Sequence, residues 1–171
     1  MATTQPNQQP SESLRIAVYS DDRTVRQQVH LALGHKVASD LPEITMTDFA
    51  TPTALFHAFE HEDFDLAVLD AEAVPLGGMG IARQLKDEYK RPVPVVLLVA
   101  RTADAWLAAW SNAEAISPYP IDPVRLPQTV AQVLRAARAH ATADLEMRPE
   151  PNPAPALSSR HINERDDAEP I

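Results

Sequence analysis

The sequence has no cysteine among its 171 residues, which excludes disulfides, thiolate metal sites and cysteine nucleophiles. Basic residues are also few: 15 Lys and Arg stand against 24 Asp and Glu, for a net charge of -9. A nucleic-acid-binding domain usually carries a basic patch, so this balance argues against that class. No apolar run approaches the roughly 20 residues that a membrane-spanning helix needs, and the first residues lack the basic and apolar segments of a secretion signal. We therefore expect a soluble, cytoplasmic, acidic protein with no direct membrane insertion.

Glycine is scarce and proline abundant, at 4 and 16 residues, and five of the prolines follow residue 140. The segment from Ala141 to Ile171 is acidic, rich in proline and poor in aliphatic side chains. It cannot bury enough apolar surface to offset the entropy lost on ordering. The head, residues 1–13, has the same character. We predict one folded domain over residues 14–140, between a disordered head and a tail, residues 141–171, that is disordered alone.

Within this domain, short apolar runs alternate with segments of helical periodicity. Five runs predict strands, and the intervening segments predict five helices; the runs are LRIAVYS, EITMTDF, FDLAVLD, PVPVVLLVA and EAIS. EITMTDF alternates as an edge strand would, whereas PVPVVLLVA is almost entirely apolar and indicates a central parallel strand. Asp22, Thr51–Pro52 and Asp122–Pro123 are typical of helix starts. Five βα units predict an α/β fold, a doubly wound five-stranded parallel sheet with five helices.

In such a sheet, ligand-binding and catalytic residues lie at the carboxyl ends of the strands. Asp21 and Asp22 follow the first predicted strand and Asp70 ends the third, so we expect the three carboxylates to converge. Carboxylates at one mouth suit Mg²⁺, and a carboxylate beside Mg²⁺ can accept a phosphoryl group. The alternative is that they are solvated loop aspartates that cap helices.

Two other clusters have simpler interpretations. Gly77, Gly78 and Gly80 follow the third strand but lack a G-x-G-x-x-G or Walker pattern, so a turn that needs flexible backbone is favoured over a phosphate loop. His57 and His61 lie four residues apart on one helical face and could bind metal. No third ligand is evident, so a solvated helix face is the favoured interpretation.

The arrangement resembles the receiver domain of two-component response regulators over residues 14–140. The resemblance rests on LRIAVYSDD, on FDLAVLD, on PVPVVLLVAR and on PIDPVRL. It implies a receiver-like (flavodoxin-like, CheY-like) fold with Asp70 in the phosphoacceptor position.

Several positions depart from the receiver pattern. Receivers need a Lys before a proline after the fifth strand, a Thr or Ser at the end of the fourth, and an aromatic switch residue on the fifth. Those places are held here by Tyr119, Val99 and Ile116. Counting along the first helix also aligns the acid pair of the metal site with Ser20 and Asp21. Because Tyr supplies no cation and Val supplies no hydroxyl, we expect formation of an acyl phosphate, and the conformational switch that depends on it, to be severely impaired.

The departures imply a degenerate receiver, or pseudo-receiver. We expect no enzymatic activity and no cofactor. We expect at most weak, vestigial Mg²⁺ binding at Asp21, Asp22 and Asp70.

A closer resemblance comes from VYSDDRTVR, DAEAVPLGGMG, RQLKDE and DAWLAAW. These segments are similar to a small group of actinobacterial orphan receiver-like proteins. That resemblance implies an accessory subunit on the cytoplasmic arm of respiratory complex I, the proton-pumping NADH dehydrogenase. The protein would then lie at the inner face of the plasma membrane only through its partner.

The output face of a receiver commonly comprises the fourth helix, fifth strand and fifth helix. The receiver register places Trp106 in the core, and Trp110 at a normally polar position where core burial and half exposure at an interface are both open. This face would present Trp110, Ser117, Pro118, Tyr119 and Arg125. We predict a non-catalytic module that binds a protein partner. The alternatives are an atypical response regulator phosphorylated at Asp70 in a two-component phosphorelay and, with no specific residue behind it, a small-molecule sensor.

Overall fold

The structure is a computed structural model that describes residues 13–89, 92–101 and 105–147. It contains one parallel five-stranded sheet. The strands are β1 (Leu14–Tyr19), β2 (Ile44–Phe49), β3 (Leu66–Asp70), β4 (Val95–Val99) and β5 (Ala115–Pro118), in the order β2-β1-β3-β4-β5. The helices that alternate with them are α1 (Arg23–Leu33), α2 (Pro52–His61), α3 (Gly78–Glu88), α4 (Ala105–Ser111) and α5 (Arg125–Glu146). The predicted α/β class is confirmed, and β2 lies at an edge as its alternation predicts.

Short polar side chains begin three of the helices. Asp22 and Thr51 accept hydrogen bonds from backbone N–H groups in the first turns of α1 and α2, at 2.7 and 3.3 Å. Asp122 Oδ1 accepts from two backbone N–H groups, at 2.7 and 3.0 Å, in a turn that leads into α5. α5 therefore begins at Arg125, with Pro127 in the first turn, where a missing N–H costs nothing.

Alternate residues of the strands enter two apolar layers. In β1, Ile16 and Val18 pack with α1 and α5 on one face, while Ala17 and Tyr19 pack with α2 and α3 on the other. Every residue of β3 and β4 is buried, as a strand covered on both faces requires. Packing in both layers therefore fixes the positions of the carboxyl ends of β1, β3 and β4, and with them the positions of the polar residues at those ends.

The last helix is longer than the sequence predicts. α5 continues to Glu146, past the predicted boundary at His140, so residues 141–146 extend a helix instead of starting the tail. Ala, Leu and Glu are good helix formers, so this exposed segment can continue the helix for nearly two further turns without burial. Residues 148–171 of the predicted tail and residues 1–12 of the predicted head lie outside the described residues. None of the helices described is long and apolar enough to cross a membrane.

Candidate functional site

Asp70 lies at the carboxyl end of β3 and is 3% exposed. Its Oδ2 accepts a hydrogen bond from Ser20 Oγ at 2.7 Å, and its Oδ1 accepts one from the backbone N–H of Glu72 at 3.0 Å. The first distance is typical of a charge-assisted O–H···O⁻ bond. Both carboxylate oxygens are thus occupied by protein donors.

The sheet places Ser20 beside Asp70. β1 and β3 pair in register up to Tyr19 and Leu69, so the residue after β1 lies next to the last residue of β3. Ser20 is fully buried, and its Oγ also accepts the backbone N–H of Asp22 at 3.1 Å. Ser20 is the position that the receiver register assigns to one acid of the metal site. A hydroxyl that donates to Asp70 therefore stands where a carboxylate would be expected.

Asp21, Asp22 and Asp70 lie at the same end of the sheet, but their ligand atoms do not form a group of three within 4.8 Å. Asp21 and Asp22 are exposed, and the Asp22 carboxylate caps α1. Within the described ranges, the acids and histidines whose ligand atoms come together as a group of three are on α2, not at these strand ends. The strand-end residues therefore do not fit Mg²⁺ as a ready three-carboxylate set.

Tyr119 follows β5 at the position where a receiver carries its lysine. Its backbone N–H donates to the carbonyl of Val99 at 2.9 Å, which holds the start of this loop against β4. The phenol is half-buried, and its hydroxyl makes no hydrogen bond of good geometry among the described residues, although it lies close enough to the Asp70 carboxylate to interact with it. Burial first, and then the negative charge of Asp70, raise the pKa of Tyr119. The residue facing Asp70 is therefore neutral where a receiver has a cation.

The other two switch positions belong to an apolar layer. Val99 is 1% exposed and Ile116 is partly buried, and both pack in the layer that contains α2 and α3. Neither side chain can bond a phosphoryl oxygen.

Two glycines at the start of α3, Gly77 and Gly78, are required for space rather than for flexibility, since a Cβ at either would meet a backbone carbonyl. Gly77 has a φ of -70°, which any residue can adopt, so the predicted need for flexible backbone is wrong there. At Gly78, a Cβ would lie 2.8 Å from the backbone carbonyl oxygen of Asp70. The absence of a side chain lets α3 begin directly against the end of β3.

Two tryptophans project from α4. Trp110 is 55% exposed, and Trp106 is 67% exposed, so the predicted core position of Trp106 is wrong. Their i,i+4 spacing places both on one side of a short helix that packs on α3. The Arg83 guanidinium lies 5.8 Å from the centroid of a Trp110 ring, and its Nη1 donates to the Trp110 carbonyl at 3.1 Å. Trp110 is thus held in place while much of its surface stays exposed.

The predicted partner-binding residues are not all accessible. Ser117 is 3% exposed and is one of the residues that line a cavity of about 380 Å³. Pro118 and Tyr119 are partly exposed and Arg125 is exposed. The cavity is also lined by Pro118, Tyr119, Arg125 and neighbouring prolines of the loop after β5. We therefore remove Ser117 from the predicted contact surface.

The sheet order 2-1-3-4-5 is that of flavodoxin-like folds, the class that includes CheY-like receiver domains, and Asp70 lies buried at the end of β3. No protein-family model matches the chain. Curated sequences do match: the uncharacterized response regulatory protein of Mycobacterium tuberculosis, in strains CDC 1551 / Oshkosh and H37Rv, is 48% identical over 126 residues. That alignment covers 74% of this chain and 95% of the relative. The chain belongs to the response-regulator family, as a receiver-domain protein of the kind used in two-component systems.

Solved structures agree on the fold. The response regulator DrrB of Thermotoga maritima, an OmpR/PhoB homolog, matches with a TM-score of 0.62 at 21% identity over 72% of this chain. The chain spans only about half of DrrB, 54% of its length. A CheY-like receiver domain from Methanospirillum hungatei matches with a TM-score of 0.59 at 18% identity, over 75% of this chain and 98% of that one. Receiver domains in general are signalling modules that act through protein partners rather than as enzymes.

Proposed function

We propose that the protein is a degenerate receiver, a non-catalytic scaffold that binds a protein partner without a phosphorylation switch. The observation that carries this proposal is the closed environment of Asp70: both carboxylate oxygens accept protein hydrogen bonds, and a neutral phenol faces it in place of a cation.

Phosphoryl transfer to Asp70 would need charge compensation. The transferred group carries negative charge on three oxygens, which Mg²⁺ and a lysine normally offset. Here the phenol of Tyr119 offers no positive charge, and the side chain of Val99 offers no hydroxyl. The incoming phosphoryl group would also have to displace the Ser20 hydroxyl from Asp70 Oδ2. Each of these features raises the barrier to an acyl phosphate.

The first experiment measures phosphorylation directly. The full chain is incubated with acetyl phosphate and Mg²⁺ and examined by intact mass and by Phos-tag electrophoresis, beside Asp70→Asn and a functional receiver as positive control. We expect no acyl phosphate on the wild type. Stoichiometric modification that Asp70→Asn abolishes would establish the alternative, an atypical response regulator phosphorylated at Asp70 in a phosphorelay.

The proposed partner surface is the exposed side of α4 with the adjoining loop after β5. Exposed tryptophans at neighbouring positions are rare on a monomer surface, and buried aromatic anchors are enriched in interfaces. The resemblance to actinobacterial orphan receiver-like proteins favours one partner, the cytoplasmic arm of respiratory complex I, with this chain as an accessory subunit. In that case any membrane association is peripheral and passes through the complex.

The second experiment tests this surface and this partner. The full chain captures proteins from the native membrane fraction, and complex I subunits are quantified for wild type, Trp110→Ala and the matched control Leu31→Ala. Leu31 is an exposed apolar residue on α1, 84% exposed. We expect Trp110→Ala to weaken capture by about 2 kcal/mol, roughly thirtyfold, while stability changes by about 0.5 kcal/mol or less. A strongly destabilised Trp110→Ala domain with unchanged affinity per folded molecule would contradict the surface. Capture of other proteins without complex I would contradict the partner.

A further inference from the structure

Three side chains on one face of α2 bring potential metal ligands together. His57, Glu60 and His61 are exposed, and one ligand atom from each lies within 4.8 Å of the others. The two imidazole rings lie 4.4 Å apart between centroids. The i, i+3 and i+4 spacing places all three on adjacent turns of the helix. Glu60, which lies between the two histidines in sequence, supplies the third ligand that their spacing alone does not indicate.

The hydrogen bonding of His61 prepares it as a ligand. Its Nδ1 lies 2.8 Å from the backbone carbonyl oxygen of His57. Because a carbonyl oxygen only accepts, Nδ1 carries the proton and donates, and in the neutral ring the lone pair is on Nε2. Metal-binding histidines commonly use one ring nitrogen this way, since the bond fixes both the tautomer and the ring orientation. The hydrogen bond within the helix thus leaves Nε2 as the ligand atom of His61.

The ligand chemistry selects the class of metal. Two imidazoles and one carboxylate suit Zn²⁺ and neighbouring transition metals, whereas Mg²⁺ prefers an all-oxygen set. The pattern H-x-x-E-H also occurs in one class of zinc peptidases, as two zinc ligands and a catalytic glutamate. On α2 all three side chains are exposed. The arrangement therefore favours a binding site and not a hydrolytic one.

We propose that His57, Glu60 and His61 form a surface site for a divalent transition metal of the zinc class. Three protein ligands leave at least one coordination position open to water or to a residue of another protein. The site stands apart from the proposed function, because it uses neither Asp70 nor the surface of α4.

Zinc titration of the full, tag-free chain tests the site. Isothermal calorimetry at neutral pH is performed on wild type, His57→Gln, His61→Gln, Glu60→Gln and the control His140→Gln. His140 is an exposed histidine on α5, near the exposed Asp144. We expect one equivalent of Zn²⁺ on the wild type and on His140→Gln. Each histidine variant on α2 should bind at least about tenfold more weakly, since loss of even an outer partner of a metal ligand costs that much. Glu60→Gln should weaken binding measurably.

A second measurement needs no variant. Substoichiometric Cu²⁺ added to the labelled wild-type chain should broaden the backbone amide signals of α2 before any others in NMR spectra, since Cu²⁺ is paramagnetic and binds imidazole more strongly than Zn²⁺. The absence of zinc binding, binding unchanged by the His57 and His61 substitutions, or broadening centred away from α2 would each overturn the proposal. Unchanged binding by Glu60→Gln would overturn the three-ligand site.

Discussion

The hydrogen bond from Ser20 to Asp70 leads to a stability prediction for Ser20→Ala. The substitution removes the hydroxyl that donates to Asp70 Oδ2 at 2.7 Å and leaves a 3% exposed carboxylate with one fewer partner. A hydrogen bond to a charged group contributes about 1.5–3 kcal/mol. The backbone N–H of Asp22 also loses an acceptor, but Asp22 is exposed, so water can replace it. We expect the free energy of unfolding to fall by about 2 kcal/mol.

For a domain of this size, about 2 kcal/mol corresponds to a drop in Tm of roughly 6–10 °C. Urea unfolding followed by far-UV circular dichroism measures the change. Tryptophan fluorescence would be a poor probe, because Trp106 and Trp110 are already exposed in the folded state. Ser39→Ala, at an exposed loop position, is the matched control and should shift stability by no more than about 0.5 kcal/mol.

A double-mutant cycle separates this hydrogen bond from other effects of the substitution. Ser20→Ala, Asp70→Asn and the double variant should give a coupling energy of about 1 kcal/mol or more, as expected for residues in direct contact. A loss below about 0.5 kcal/mol in Ser20→Ala, or a coupling energy near zero, would refute the reasoning that Ser20 holds the carboxylate in place.

Three further predictions concern the packing at the start of α3, the hydroxyl of Tyr119 and the ion pair between Asp40 and Arg135. Gly78→Ala places a Cβ 2.8 Å from the backbone carbonyl that ends β3 and should lower the free energy of unfolding by about 1–3 kcal/mol; Gly80→Ala, whose Cβ meets only the end of a flexible leucine, should cost clearly less in the same urea series. Tyr119→Phe removes a buried hydroxyl that makes no hydrogen bond of good geometry among the described residues and only a weak contact with Asp70, so stability at neutral pH should change by no more than about 0.5 kcal/mol. Because the pKa of Tyr119 is raised in the folded state, wild-type stability should fall as pH rises above 10, and more steeply than in the variant; equal slopes in urea midpoints would contradict this. The Arg135 guanidinium lowers the pKa of Asp40 to about 2. In Arg135→Gln, NMR titration should show this pKa moving toward 3.8. Because the pKa of Asp40 is lower in the folded state, the small stabilisation from its pairing with Arg135 is present above pH 3.8 and is lost as pH falls through about 2.

The sheet could be predicted from sequence because it depends on local patterns. Continuous apolar runs mark strands covered on both faces, and alternation marks the edge strand. The observed start of β4 differs from the predicted one for a reason of backbone chemistry. The strand begins at Val95 and not at Pro92, because Pro92 and Pro94 have no N–H to donate to a neighbouring strand. The extension of α5 past His140 was missed because composition was read as disorder, although alanine-rich sequence can continue an exposed helix.

The site was only partly predictable, because side-chain partners depend on tertiary contacts. Sequence placed Ser20 at an acid position of the receiver pattern, but the bond to Asp70 requires the register of β1 against β3. The receiver register predicts Trp106 in the core, whereas its side chain on α4 is exposed. Glu60 was visible in the sequence between the two histidines, three residues after His57, and a search for H-x-x-E-H would have found it.

The replacements around Asp70 are coupled by electrostatics. In a receiver that binds Mg²⁺, several carboxylates crowd the strand ends, and the metal and a lysine offset their charge. Losing the lysine alone would leave that negative charge uncompensated. In the register that the resemblance to receivers implies, Ser20 takes the place of one of those acids; its hydroxyl donates to Asp70, so there is one negative charge fewer and the Asp70 carboxylate gains a hydrogen bond. Tyr119 can then occupy the place of the lysine as a neutral, half-buried ring. Under the proposed function, such a site would need neither metal nor phosphate for stability, which is the property that a scaffold with a constant surface requires.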